Sequence, residues 1–568
     1  MKIIMTDLIL HPGIILMLGG VILCLLPKVL CKPFSVVLPL IALLTFLSFP
    51  DEHSVYLSSL GYQLEPLRID SLSWLFTLIF LFGMFITAIY SYHDSGKFER
   101  AIVPVYAGAT ITAVLAGDLL TLFISWEISA IASAIIIFTG KREYSQKAGM
   151  RYLLMHITSG LLLLLGSVIY YLNNQTIEFS LIGTDSLAGI LIFLAFGIKC
   201  AFPLLHNWLP DAYPQASPAG TVALSIFTTK LAVYCLARAY AGTDWLIWIG
   251  VTMAVFPAFY AIIENDLRRV LCYSLNSQLG FMVVGIGIGT PLALNGTVAH
   301  AFSSVLYQGL LFMCMGAVLY RVGTTKASEL GGLYKSMPYT AALCIIGALT
   351  ISSFPLFSGF ISKAIILSAA AKEGYSLVWL ALLFSSVAVF AHSGIKVPFS
   401  GFFAQDRTIE CKEAPINMLM AMGITALACL LLGLFPGMLY QYLPNPVKYN
   451  PYTFEHVITQ LQLLLYALLA FIVLYRKGLY PHDVRSLNLD TDWILRKPVN
   501  HLLVYVLSLY GGLLNGIQSL KKHTISATTR IIYQAHGPRS MMARGTSVGN
   551  MVVWVAVLLS ASLILYYL

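Results

Sequence analysis

Four ionisable residues lie where a charged side chain is costly. Lys199 sits in the apolar stretch Leu191–Leu205 (LIFLAFGIKCAFPLL), four residues before Pro203. Glu127 lies in GDLLTLFISWEISAIAS, Lys230 in GTVALSIFTTKLAVYCLAR and Lys363 in LTISSFPLFSGFISKAIIL. An ammonium at the centre of a bilayer costs roughly 3 kcal/mol on insertion scales, so charges kept there are functional by default. A desolvated carboxylic acid takes up a proton and ionises again beside a lysine. A desolvated lysine, unlike an arginine, can surrender its proton near neutral pH. Such groups strung through apolar segments suit the passage of protons or cations. The plainer reading of Glu127 is a static ion pair between two helices, a weak stabiliser.

Further candidates carry two readings each. His300, in GTVAHAFSSVLYQGLLF, either relays protons or packs as a hydrogen-bonded histidine. His206 and Asp211 follow the Pro203 break and either cap the broken helix or line a proton entrance. His392 and Lys396, in AHSGIKVPFSGFF, fall near a helix end, where Lys396 either snorkels to the headgroups or lines a mouth. His156 is read as packing, and Asp118 as a helix cap or surface carboxylate. Glu264, Asp266, Arg268 and Arg269 read as a solvated loop that orients the chain.

The elements that position these residues follow from composition. The 568 residues are 58% hydrophobic and 10% charged, whereas charged residues supply about a quarter of a globular chain. The mean hydropathy is +0.82. This is the signature of a polytopic all-α membrane protein. The net charge of +9 resides in short loops and gives no sign of nucleic-acid binding. Nine scattered cysteines without a CxxC pair argue against metal sites and a disulfide framework.

With about 20 apolar residues per crossing, helices are expected near 8–26, 34–49, 71–91, 101–117, 119–139, 152–172, 187–206, 219–240, 244–263, 270–288, 296–320, 339–368, 377–396, 416–438, 459–475 and 550–567. The first run lacks a clear cleavage site and is read as a membrane helix. Basic residues alternate between loops, which places both ends on the outer side by the positive-inside rule. Val499–Leu520, followed by Lys521 and Lys522, reads as a helix along the membrane surface.

Two of these helices are interrupted, one at Pro203 beside Lys199 and one at Pro355 and Gly359 before Lys363. Broken helices at corresponding places point to inverted repeats with a site near the midplane. Prolines also kink packed helices that do nothing else, but here each break has a lysine next to it.

The motifs GIKCAFPLLHNWLPDAYPQASP, GDLLTLFISWE and SSFPLFSGFISK resemble the proton-conducting antiporter-like subunits over roughly residues 65–440. That family includes large membrane subunits of respiratory complex I, of membrane-bound hydrogenases and of Mrp-type cation/proton antiporters; ELGGLYKSMP and FPLFSGFISK look most like the D-type subunit of the Mrp branch. The resemblance implies about fourteen core helices with two inverted five-helix repeats, a lateral amphipathic C-terminal segment and a final helix. It divides the chain into N-terminal helices (1–100), a first repeat (101–240), a second repeat (244–400), C-terminal core helices (401–475) and the lateral segment with its last helix (476–568). It makes Glu127 and Lys199 the first charged pair, Lys230 the central relay, His300 part of the connecting chain and Lys363 the exit-side lysine. Where relatives often carry a histidine and a lysine, this chain has Ser304 and Gln308, which do not titrate; waters held by them and Tyr307 would have to carry the link.

The expected function is proton translocation within a multisubunit monovalent cation/proton antiporter, with other membrane subunits, protons, Na+ or K+ and lipid as partners, in a bacterial inner membrane. The alternative is the pumping subunit of a complex-I-like oxidoreductase or hydrogenase. No cofactor is expected: the chain has neither a cysteine cluster for iron–sulfur centres nor a GxGxxG fingerprint.

Overall fold

The computed structural model describes residues 9–567 apart from positions 60, 94–95, 141, 405–406, 447, 480–487, 489, 492, 494–497, 499 and 538–547. Among the described residues thirteen helices are long and apolar enough to cross a membrane, with three shorter apolar helices beside them. The chain is a polytopic all-α membrane protein. Its contacts divide it into a unit ending at Asn488 and a second, from Leu489 onward.

In chain order the first unit holds α1 (Pro12–Leu25), α2 (Lys28–Leu47), a hairpin of β1 (His53–Ser59) and β2 (Tyr62–Ile69), α3 (Ser71–Tyr90), α4 (Lys97–Leu115), α5 (Leu119–Phe138) and α6 (Ser145–Asn174). It continues with α7 (Leu187–Lys199), α8 (Trp208–Ala212), α9 (Pro218–Ala239), α10 (Asp244–Ile263), α11 (Leu267–Ile288), α12 (Pro291–Val322), α13 (Pro338–Ile351), α14 (Ser358–Lys372) and α15 (Ser376–Val389). α15 runs on through two π-helical segments, Phe390–Lys396 and Phe399–Phe403. α16 (Ile416–Leu434), α17 (Gly437–Tyr440) and α18 (Phe454–Arg476) complete it. α9 is the innermost helix, with its most apolar window wholly buried. The second unit holds α19 (Asn500–His536) and α20 (Val548–Tyr567). The helix expected over 499–520 extends to His536, about 55 Å at 1.5 Å per residue.

The hairpin was not foreseen from the sequence. It pairs His53 with Ile69 and Ser59 with Tyr62, and it is tied to α5. Asp118, the N-cap of α5, accepts from the Thr121 N–H at 2.7 Å and from the Glu65 N–H at 2.8 Å. On the same face Asp70 caps α3 and Arg238 of α9 donates to both its oxygens, at 2.7 and 2.9 Å. Burial pushes the Asp70 carboxyl up, but Arg238 and the cap bonds outweigh it and hold the group below its usual value.

The two halves of the core repeat the same backbone hydrogen bonds at corresponding places. Leu119 N–H meets Ile177 O at 2.8 Å and Phe179 N–H meets Gly117 O at 2.8 Å; Leu267 meets Thr325 at 2.9 Å and Ala327 meets Asn265 at 2.8 Å in the same pattern, 148 positions later. Asp118 bridges to Glu178 and Asp266 to Lys326, and Asp266 caps α11 as Asp118 caps α5. The breaks correspond too, with an offset of 152. Ala201-Phe202-Pro203-Leu204 and Ser353-Phe354-Pro355-Leu356 each place their first and last residues at positive φ (62° and 69°, 59° and 79°).

In both, the first half-helix ends in a Schellman motif. Ala201 N–H bonds Ile198 O and Phe202 N–H bonds Gly197 O; Ser353 bonds Thr350 and Phe354 bonds Leu349 likewise. The following proline has no N–H to orphan, so the break leaves fewer unmet groups than another residue would. Each copy has five crossings, α4, α5, α6, α7–α8 and α9 against α10, α11, α12, α13–α14 and α15. An odd number of crossings inverts the second copy.

Two outcomes follow. A left-handed alanine costs about 1–2 kcal/mol and a β-branched residue there costs more, so Ala201→Gly should leave the melting temperature of the purified protein unchanged or raised, while Ala201→Val lowers it. The depressed Asp70 carboxyl contributes stability that is fully present above the unfolded aspartate value of about 4 and is lost as pH falls through the folded value. Asp70→Asn should therefore be less stable than the parent at neutral pH, and the gap should close in acid, as followed by thermal unfolding across pH.

Candidate functional site

Lys199 occupies the last turn of α7, with its side chain wholly buried. Its ammonium donates to Trp126 O at 3.2 Å and Ser129 Oγ at 3.1 Å and lies 3.9 Å from the centre of the Trp126 ring. The ring is held in turn, because its N–H donates to Ser159 Oγ at 3.1 Å, which donates to Ala195 O at 2.7 Å. Glu127 lies between Trp126 and Ser129, and its carboxylate rests against α6 where Gly160 leaves room. A Cβ at residue 160 would fall on Glu127 Oε1, which has no hydrogen-bond partner. Among the described ion pairs none joins Glu127 to Lys199. The lysine grips the backbone and hydroxyl that flank the glutamate, so the two are neighbours without direct contact.

Lys230 is wholly buried in α9 and donates to Ser225 O at 2.8 Å. A hydroxyl chain meets the same helix: Tyr152 donates to Ser133 at 2.9 Å and lies 3.4 Å from Thr228, which also bonds Tyr106. In the second copy His300 has Nδ1 3.0 Å from Ser362 Oγ and Nε2 3.1 Å from Gln278 Oε1, while Tyr307 donates to the same Gln278 oxygen at 3.2 Å. Ser362 adjoins Lys363, which donates to Ile351 O at 3.0 Å and lies 4.9 Å from the Phe281 ring centre. With the 152-residue offset, Ile351 is the counterpart of Lys199 and Lys363 that of Asp211. Each copy therefore places one ammonium at its break, from the first half-helix in one and the second in the other.

Several buried polar atoms on α9, α11 and α12 have no protein partner: Thr229 Oγ1, Gln278 Nε2, Ser303 Oγ, Ser304 Oγ and Gln308 Oε1. Gln308 donates its amide N–H to Leu271 O at 2.7 Å. An unmet buried polar atom costs about 1–3 kcal/mol, and a run of them is a lining that water would satisfy. Ser304 and Gln308 are thus buried with one polar atom each left unmet.

The remaining candidates scatter. His392 Nδ1 is 2.8 Å from Ser393 Oγ, which donates to Ser274 Oγ at 2.8 Å. Lys396 donates to Ile262 O at 2.7 Å and Glu264 O at 2.6 Å, which makes it a cap on the end of α10. His206 is buried edge-on to Phe256. Asp211 takes two bonds from Arg151, at 2.7 and 3.0 Å. His156 stacks near Tyr152 and Trp208.

The expectation of a solvated 264–269 loop is wrong. Arg268 is wholly buried and donates to Pro214 O and Ala216 O, both at 3.0 Å. It satisfies carbonyls freed where the chain turns from α8 into α9, a demand the sequence does not display. Sequence reasoning also missed Tyr152, Thr228 and Gln278, whose polar tips are unremarkable until the fold aligns them. Among the described residues no group of three or more His, Cys, Asp or Glu could hold a metal ion.

Residues 116–391, which span both breaks and Glu127, Lys199, Lys230, His300 and Lys363, match the family model described as NADH:quinone oxidoreductase/Mrp antiporter, transmembrane. The chain is 30% identical over 320 residues to the D-type subunit of the Na(+)/H(+) antiporter of Alkalihalophilus pseudofirmus, covering 52% of this chain and 64% of that protein. It is 27% identical over 474 residues to the A-type subunit from the same organism, covering 73% and 59%. The chain thus spans about three-fifths of the length of the curated relatives it matches. Its fold is that of a chain in the membrane-bound sulfane sulfur reductase, an archaeal respiratory membrane complex, with a TM-score of 0.71 at 22% identity over 98% of this chain and 99% of that one. Through residues 116–391 the chain is similar to the NADH:quinone oxidoreductase/Mrp antiporter transmembrane family, and both D-type and A-type antiporter subunits are among the proteins it resembles.

Proposed function

We propose that the chain is the proton-translocating membrane subunit of a multisubunit monovalent cation/proton antiporter in a bacterial inner membrane. The observation that carries this reading is the set of three lysines, Lys199, Lys230 and Lys363, each at most 1% exposed, each with its ammonium on a backbone carbonyl. A buried cation with a carboxylate at contact distance is locked; one held by neutral dipoles can lose its proton without leaving a buried countercharge behind. Glu127 beside Lys199 supplies the carboxylate that exchanges with it, and loss of charge at one site changes the field at the next, so the titrations are coupled. His300 and the hydratable atoms on α9, α11 and α12 form the central link. Sodium or potassium would bind with oxygen ligands, here or in a partner subunit.

A second reading makes the chain the pump subunit of a redox complex. The full-length likeness in fold to the chain of the archaeal reductase favours it. Purification of the tagged chain in mild detergent separates the two. Small membrane subunits without iron or flavin, followed by sodium- or potassium-driven pH changes in inverted vesicles, are the expected result. Co-purifying iron–sulfur and flavin subunits would overturn the antiporter in favour of the pump.

In those vesicles Glu127→Gln and Lys199→Ala should each abolish ion-driven pH change while the complex still assembles. Full activity in either would remove that residue from the path. Gly160→Ala should cut transport almost as far, because the new Cβ displaces the Glu127 carboxylate, while the melting temperature falls far less than a core deletion would cause. Normal transport in Gly160→Ala would mean the position of Glu127 does not matter.

A further inference from the structure

Lys363 has a second aspect that the path between the breaks does not use. It lines a cavity of about 200 Å³ between α14, α15 and α18, space for roughly six waters at ~30 Å³ each. Two features suit this cavity to water. Ser353, the left-handed residue of the second break, lines it, and its buried hydroxyl has no partner. On the other wall, Gln460 of α18 donates to Ser352 O at 3.2 Å, holding that helix against the break.

Farther along is a cluster of three polar side chains. Ser368 Oγ is 2.8 Å from the Tyr449 hydroxyl and 3.5 Å from His456 Nε2, and Tyr449 is 3.4 Å from His456 Nδ1. His456 and Glu455 line the cavity in the first turn of α18, and Glu455 is exposed. This end lies on the hairpin face. Trp74, at the start of α3, stacks on Tyr442 in the segment leading to α18, and Asn295, at the start of α12, donates to Asn445 O at 2.7 Å.

We propose that this cavity is the vestibule joining Lys363 to the hairpin face, with His456 as its proton-exchanging residue. The inference rests on the transport reading of Lys363. In the outward direction a proton leaves Lys363 Nζ for cavity water, and the lysine becomes neutral. His456 takes a proton from that water on one ring nitrogen and returns it to bulk water at the rim. Tyr449 and Ser368 hold the ring so that it faces the cavity. No electrons move, and the inward direction is the reverse.

Two measurements on the assembled complex test it. In a background with Cys24 and Cys411 replaced by serine, Ala364→Cys puts a thiol on the cavity wall, and Tyr56→Cys on the exposed hairpin reports which face a reagent reaches. A charged, membrane-impermeant thiosulfonate should label Ala364→Cys from the hairpin face and not from the other; no labelling from that face overturns the vestibule. His456→Ala should slow transport roughly tenfold or more, and imidazole added on the hairpin face should restore much of it, which a merely structural role would not allow. Unchanged transport in His456→Ala, or a loss that imidazole does not rescue, overturns the role of His456. Lys363→Ala keeps the two readings apart. If it transports normally although the cavity labels, the transport reading of Lys363 fails and with it the vestibule's purpose. If it is inactive while Ala364→Cys stays unlabelled, the vestibule fails and the transport reading stands.

Discussion

A helix can break inside a bilayer only if something other than water satisfies the backbone it frees. The architecture of this chain depends on that constraint. At each break a Schellman motif closes the first half-helix on itself, a proline leaves one donor fewer to satisfy, and a lysine from the core lies at the break. Lys363 binds the last carbonyl of α13, whereas Lys199 ends α7 and binds the backbone of α5 instead. The charges are therefore structural ligands of the backbone as well as titratable groups. At the second break, the protonated form of Lys363 and the geometry of the break are linked through the same bond.

The two copies share a backbone but not a distribution of charge. In the first, the carboxylate of Glu127 occupies space that Gly160 vacates. With the 148-residue offset, the counterparts are Leu275 and Gln308, so the second copy has an amide on α12 facing α11 where the first has an acid on α5 facing α6. Likewise Asp211, which pairs with Arg151, is the counterpart of Lys363. The same scaffold thus holds a carboxylate near a lysine in one half and a histidine–glutamine–tyrosine cluster near a lysine in the other.

Much of this was legible in the sequence, because charge in an apolar run and proline inside a helix are conspicuous against a uniform background. Lys199, Lys230, Lys363 and both breaks were found in that way, and most helices came within a few residues, although the one expected over 499–520 runs on to His536. What stayed hidden depends on partners far away in the chain. The hairpin over 53–69 alternates weakly, and it is fixed by Asp118, which precedes α5. Arg268 looked solvated because charged residues cluster around it, and only the fold shows the carbonyls it serves. Lys396 offered two readings from its place near a helix end; its partners at 262 and 264, on another helix, give it a third, that of a cap.

The repeated Phe-Pro-Leu break has a consequence for how the chain enters the membrane. Because the second copy is inverted, the same motif is threaded once from each side, so the break itself carries no information about direction. That information has to come from something other than the motif, from basic residues near helix ends such as Lys147 and Arg151, or from the capped hairpin that stays on one face. Biogenesis of this fold therefore separates two instructions within one sequence. The motif says where a helix stops halfway, and the flanking charge says from which side it began.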